Sequence, residues 1–112
     1  MNKHDSIYVA GGQSGLVGTA IVRKLMKQGF NNIITKTRKE LDLLDQKAVA
    51  SFFSRNRPEY VFLAAAKVGG IMANKTQKAD FLYDNIQIQM NVIYYAWKYK
   101  TKKLIFLGEK GI

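Results

Sequence analysis

Ala10-Gly11-Gly12-Gln13-Ser14-Gly15-Leu16-Val17-Gly18 is the stretch whose reading decides the fold. The residues before it, 6–10 (Ser-Ile-Tyr-Val-Ala), are short, β-branched and followed by glycine, the pattern of a buried strand. After it, Val17, Ile21 and Leu25 recur every four positions, which predicts a helix over 16–28 that stops at Gly29. Gly12, Gly15 and Gly18 therefore make a Gly-x-x-Gly-x-x-Gly spacing where a strand hands over to a helix. Glycines there allow a tight turn and close backbone approach, so free amides at the helix N-terminus, with the helix dipole behind them, can face a pyrophosphate. The plainer reading is an ordinary flexible turn. Its position after a first strand favours a dinucleotide.

Working outward, residues 32–36 hold a second apolar run. Asp45 then caps a helix whose inward stripe is Ala48, Val49, Phe52 and Phe53, closing before Pro58. Residues 60–65 read as a third buried strand and 103–107 as a fourth. Between them, after a loop with Gly69 and Gly70, a long helix is predicted over 79–99. Leu82, Ile86, Ile93 and Trp97 line one row of it, and Ile88, Val92 and Ala96 another, which predicts burial on both sides. Strands alternating with helices, without repeats or a linker, imply right-handed crossovers and a parallel sheet. The expected fold is α/β, a partial Rossmann sheet of four strands in spatial order 3-2-1-4 with flanking helices.

The exit of the second strand discriminates between dinucleotides, because an acid there accepts hydrogen bonds from the adenosine ribose of NAD. Here the segment is Lys36-Thr37-Arg38-Lys39, with no acid about twenty residues beyond Gly18. Arg38 with Lys39 can instead pair with the 2′-phosphate of NADP. Glu40 and Asp42 lie nearby and keep the NAD alternative open. Ala64, Ala65 and Ala66 put small side chains at the sheet edge where a dinucleotide would lie, and Lys67-Val68-Gly69-Gly70-Ile71 follows as a cationic loop.

Composition bounds the remaining classes. At 112 residues, with 47% apolar and 23% charged, the chain fits one small globular domain. The net charge of +10 predicts attraction to anions without choosing among them. There is no cysteine, hence no disulfide framework, thiol nucleophile or thiolate metal site. No signal-peptide pattern or membrane span is visible, so the cytoplasm is the simplest address. His4 is the single histidine, near a terminus expected to be loose, which leaves no histidine cluster and no Ser-His-Asp triad. Tyr94 with Lys98 and Tyr99 with Lys103 match Tyr-x-x-x-Lys, but this composition yields about 0.75 such matches by chance, so they read as packing and surface residues. Lys98, Lys100, Lys102 and Lys103 flank Tyr99 in the pattern of a nucleic-acid contact, but lysines also suit the negative end of a helix dipole, and a solvated helix end is the favoured reading. Neither nucleic acid nor membrane is the expected partner.

The run Ala64-Ala65-Ala66-Lys67-Val68-Gly69-Gly70-Ile71, then Ala73-Asn74, Ala79-Asp80-Phe81 and residues 85–91, closely resembles the GDP-L-fucose synthase family. That family lies within the extended short-chain dehydrogenase/reductases, the NAD-dependent epimerase/dehydratase group. Thr37-Arg38-x-Glu40-Leu41-x-Leu43-Leu44-Asp45 is similar to the family's second-strand exit. The resemblance covers nearly the whole chain but only the family's N-terminal portion. It implies an NAD(P)-binding Rossmann half over 1–112, without the C-terminal substrate-binding part. It also implies NADPH as cofactor, epimerisation and reduction of GDP-4-keto-6-deoxymannose to GDP-L-fucose as the parent reaction, and a GDP-sugar as further ligand. On this resemblance the turn of Gly11, Gly12, Gln13, Ser14, Gly15, Leu16, Val17 and Gly18 holds the pyrophosphate. Arg38 holds the 2′-phosphate, Leu43 and Ala64 the adenosine half, and Leu107 with Gly108 the nicotinamide side.

Two departures stand out. The turn is one residue longer than the family's, leaving open whether Gly11 or Gly12 makes the first bend. After the fourth strand, Glu109-Lys110-Gly111 stand where the family has Ser-Ser-Cys, and no Tyr-x-x-x-Lys follows. The resemblance thus assigns no catalytic residue and no metal ligand, and implies a cofactor-binding fragment that does not turn over alone. The changed sequence after Gly108 fits a frame disruption. A family dimer formed through helices like 79–99, or a separate C-terminal chain, is the expected partner, and an exposed fourth strand predicts poor solubility without one.

Overall fold

A computed structural model of the chain describes residues 1–13, 15–64 and 78–107. Strand β1 (Ile7–Ala10) leads into helix α1 (Leu16–Lys27), then β2 (Ile33–Ile34), α2 (Gln46–Asn56), β3 (Tyr60–Leu63), α3 (Lys78–Lys98) and β4 (Lys103–Phe106). All strand pairs are parallel, with Ile7 opposite Ile33 and Tyr60, and Tyr60 opposite Lys103. Every residue of β1 is buried, as a strand covered on both faces requires.

The alternating side chains of β1 divide between two cores. Ile7 and Val9 meet Leu25 and Phe30, with Ile21 and Val22 of α1 packed alongside. Tyr8 and Ala10 point the other way, to Val49, Phe52 and Phe53 of α2 and to Val92, Tyr95 and Ala96 of α3. Tyr8 lies 4.5 Å from Phe52 and 6.0 Å from Phe53 between ring centroids, and burial pushes its phenol well above the usual range.

The spatial order is β2-β1-β3-β4, which corrects the expected 3-2-1-4. The reason is the face each helix covers. A right-handed crossover moves one way across the sheet when its helix lies on one face and the opposite way when it lies on the other. α1 and α2 lie on opposite faces, so the connection through α2 carries the chain back past β1 and sets β3 on its far side. α3 shares the face of α2 and continues outward to β4. The sense of winding thus reverses between β1 and β3, and at such a reversal open α/β sheets bind ligands beside the carboxyl ends of their strands.

Two further expectations change. Only one row of α3 is buried within the chain: Val92 and Ala96 are enclosed, whereas Ile86, Ile93, Tyr94 and Trp97 remain exposed because no described element reaches that face. The N-terminus is not loose: Asn31 N–H donates to Lys3 O (3.1 Å), the Asn32 amide donates to His4 O (3.3 Å), and Lys3 Nζ lies 4.3 Å from the Phe30 ring centroid. Among the described residues no helix is long and apolar enough to cross a membrane.

Candidate functional site

The carboxyl ends of the four strands bring Gly11, Thr35, Ala64 and Leu107 to one edge of the sheet. At the end of β1, Gly11 takes a φ of 90° and Gly12 N–H donates to Val9 O (3.0 Å), so Gly11 makes the first bend. Gly15, at φ 86°, is the N-cap of α1 and has no side chain to cap it, which leaves first-turn amides to an outside acceptor. Gly18 is where the helix crosses the turn: a methyl there would run into the Gly11 carbonyl oxygen and lie 2.5 Å from its carbon. The Thr19 hydroxyl donates to Gly15 O (2.7 Å) and fixes the first turn. Leu16 and Val17 stand exposed on the rim.

The turn is joined to the exit of β2. Gln13 Nε2 donates to Thr35 Oγ1 (2.6 Å), and Gly12 is so close to Thr35 that a Cβ on it would lie 2.7 Å from Thr35 Cγ2. Beyond Thr35 the chain folds back on itself. Thr37 N–H donates to Glu40 Oε1 (2.8 Å), while Glu40 N–H donates to Thr37 Oγ1 (3.2 Å) and Leu41 N–H to Thr37 O (2.9 Å). Arg38 and Lys39 occupy the two middle positions of this turn, both exposed. The Thr37 N–H, then the Thr37 hydroxyl and the Lys36 charge, hold the Glu40 carboxyl below the usual carboxylate range. Asp42 Oδ1 accepts Leu44 N–H (3.0 Å), and Asp45 caps α2 through Lys47 and Ala48 N–H. Both acids that kept the NAD reading open are thus engaged by amides of their own loop.

Leu43 packs against the α2–α3 core. Its carbonyl accepts the side-chain amide of buried Asn91 (2.8 Å), which itself accepts from Gln87 Nε2 (2.9 Å). Ala64 is buried and donates its N–H to Ala10 O (3.0 Å), tying the end of β3 to the end of β1; Leu107 N–H donates to Leu63 O (3.1 Å). The cradle therefore combines uncapped helix amides, glycines at the bends of the turn and an exposed pair of cations. That donor set fits a dinucleotide with an extra phosphate.

Ser14, Gly108 and the Lys67 loop lie outside the described residues. Tyr94, Lys98, Tyr99 and Lys103 fall near the opposite end of the sheet, because α3 runs antiparallel to the strands and Lys103 opens β4. Tyr95 packs in the core, but Tyr94 is 49% exposed and so is less a packing residue than expected. Thr35, Asn91 and the Thr37–Glu40 pair belong to the site without having been read from the sequence. The last was legible as Thr-x-x-Glu, the spacing of a capping box.

The family described as "NAD dependent epimerase/dehydratase family" matches residues 7–109. GDP-L-fucose synthase 1 of Arabidopsis thaliana is 58% identical over 111 residues, covering 99% of this chain and 34% of that protein. GDP-L-fucose synthase of Escherichia coli (strain K12) is 47% identical over 106 residues, covering 95% and 33%. Among solved structures, the GDP-mannoheptose C4 reductase from Campylobacter jejuni with NADP bound superposes with a TM-score of 0.87 at 50% identity, covering 95% of this chain and 33% of that one. The chain spans about a third of the length of the relatives it matches.

Proposed function

The chain belongs to the NAD dependent epimerase/dehydratase family, and from that premise we propose that it is an NADP(H)-binding Rossmann unit of a GDP-L-fucose synthase type. The observation that carries this reading is the join between the glycine turn and the β2 exit. Uncapped amides at α1 and the exposed Arg38–Lys39 pair lie on segments linked by the Gln13–Thr35 hydrogen bond. The α1 amides and the turn of Gly11, Gly12, Gln13, Ser14, Gly15, Leu16, Val17 and Gly18 hold the pyrophosphate. Arg38 holds the 2′-phosphate, Leu43 and Ala64 wall the adenosine half, and Leu107 with Gly108 borders the nicotinamide. The bound cofactor supplies hydride for reducing a keto-sugar. The parent reaction is NADPH-dependent epimerisation and reduction of GDP-4-keto-6-deoxymannose, as the names of the relatives and the resemblance of the 64–74 run support. The residues assigned here account for cofactor binding, and none of them is assigned proton transfer.

The unit works with a partner. The exposed row of α3, with Ile86, Ile93, Tyr94 and Trp97, and the edge of β4, which no described strand covers and where Phe106 is half-exposed, favour a second copy or a C-terminal chain. Calorimetry with NADPH, NADH and GDP, followed by incubation with NADPH and the keto-sugar, tests the proposal. Binding of NADPH without its oxidation is expected. No heat at millimolar NADPH overturns the cofactor reading, and NADPH consumption overturns the binding-only reading.

A further inference from the structure

We propose that Glu40 is a positioning residue for the 2′-phosphate of the dinucleotide: with Thr37 it locks the turn that presents Arg38 and Lys39. The inference rests on the NADP reading above. An arginine on a free loop spreads over many backbone and rotamer states, and ordering it costs binding free energy. Here the backbone of residues 37–40 is closed from both ends. The Glu40 carboxylate accepts Thr37 N–H at 2.8 Å, and the Thr37 hydroxyl accepts Glu40 N–H at 3.2 Å, the reciprocal pairing of a capping box. Backbone bonds from Glu40 N–H and Leu41 N–H to Thr37 O reinforce it. Between the closures stand only Arg38 and Lys39, both exposed.

The charge balance agrees with the geometry. A carboxylate two residues from a phosphate-binding arginine would repel the ligand if it pointed outward. Glu40 is turned onto the Thr37 amide with Lys36 nearby, and its lowered carboxyl pKa reflects those contacts. An acid that reads the ribose hydroxyls of NAD turns both oxygens to the ligand, whereas Glu40 commits Oε1 to Thr37 N–H.

The test compares NADPH and NADH affinity for the unmodified chain and for Arg38→Ala, Glu40→Ala and Glu40→Gln. Hydrogen exchange at the Thr37 amide and circular dichroism melting are measured alongside. Glutamine can close a capping box and alanine cannot. The expected result is a preference for NADPH that Arg38→Ala abolishes. Glu40→Ala lowers NADPH affinity about three- to tenfold, the scale of one lost cap, and leaves NADH within about twofold. Thr37 exchanges faster in that variant, and Glu40→Gln restores both readouts.

If Arg38→Ala abolishes the preference while Glu40→Ala leaves the NADPH-to-NADH ratio unchanged, the role of Glu40 is overturned and the cofactor reading stands. A parallel loss of both cofactors, or a selective loss of NADH, also overturns the role. An unmodified chain without NADPH preference, or an Arg38→Ala variant that keeps it, overturns the cofactor reading and this inference with it.

Discussion

Among the described glycines, Gly18→Ala is expected to be the most damaging single-methyl change. Its Cβ would meet the Gly11 carbonyl, 2.5 Å from the carbon and 3.1 Å from Gly12 N, where ordinary contact begins at 3.4 Å. Those atoms are backbone, so no side chain can swing aside, and α1 must retreat by roughly 1 Å in an interior packed as densely as a crystal. The retreat loosens Ile21, Val22 and Leu25 against Ile7 and Val9. Overpacking costs about 1–3 kcal/mol, and the rigidity of the contact argues for the upper end, ~3 kcal/mol. With an unfolding entropy of ~2.1 cal/mol/K per residue, that lowers Tm by roughly 13 °C. Gly29→Ala is the control. Its φ of 92° is strained for alanine, but its nearest neighbour is 3.8 Å away, so only the backbone penalty of about 1 kcal/mol applies. Thermal unfolding by circular dichroism reads both. A Gly18→Ala chain melting within about 3 °C of its parent, or no lower than Gly29→Ala, would show that α1 does not ride on the turn as described.

Phe53→Ala empties a fully buried site facing Tyr8 and Phe52 and should cost about 3–5 kcal/mol in urea unfolding, against ~1 kcal/mol for Asp45→Ala at the N-cap of α2. Equal costs would contradict this placement of the core. At the amino edge, Ser6 N–H and then Lys102 hold the Glu59 carboxyl below its usual range. A lowered folded pKa contributes stability that is full above the unfolded value, about 4.3, and is lost as pH falls through the folded one. The Tm gap between the parent and Glu59→Gln should therefore hold steady from pH 6 to 8 and close below about pH 4.3; a gap that widens in acid would reverse the sign of the effect. Ile93→Glu and Trp97→Glu sit on the exposed row of α3, so they should leave the monomer's melting within ~0.5 kcal/mol. If the proposed second copy docks on this row, both should abolish self-association in sedimentation velocity, and self-association unchanged by them would remove α3 from that proposed interface.

The elements were legible where apolar spacing is unambiguous. Val49, Phe52 and Phe53 identify the inward stripe of α2, and Asp45 caps it as its position predicts. The strand order was not legible. β1 is apolar on both faces, so Ile7 and Val9 announce a covering helix no differently from Tyr8 and Ala10, and the choice of face decides the order. The two rows of α3 are similarly apolar in sequence, and only packing against α2 shows which one is enclosed. β2 is only Ile33–Ile34, shorter than the apolar run, and Thr35 just beyond it accepts a hydrogen bond from Gln13 Nε2. At the site, the glycine spacing locates the cradle, but which glycine bends is a matter of φ. The bond from Asn91 to Leu43 joins residues 48 positions apart and leaves no local trace.

Backbone amide shifts of the labelled chain during an NADPH titration test the central claim most directly. Perturbations should concentrate at Gly12, Gly15, Leu16, Val17 and Gly18, at Arg38 and Leu43, and at Ala64 and Leu107, along one edge of the sheet. NADH should reproduce the pattern except around Arg38. Shifts gathered instead on the Lys98 to Lys103 run at the opposite edge, or an Arg38 response identical for both cofactors, would contradict it.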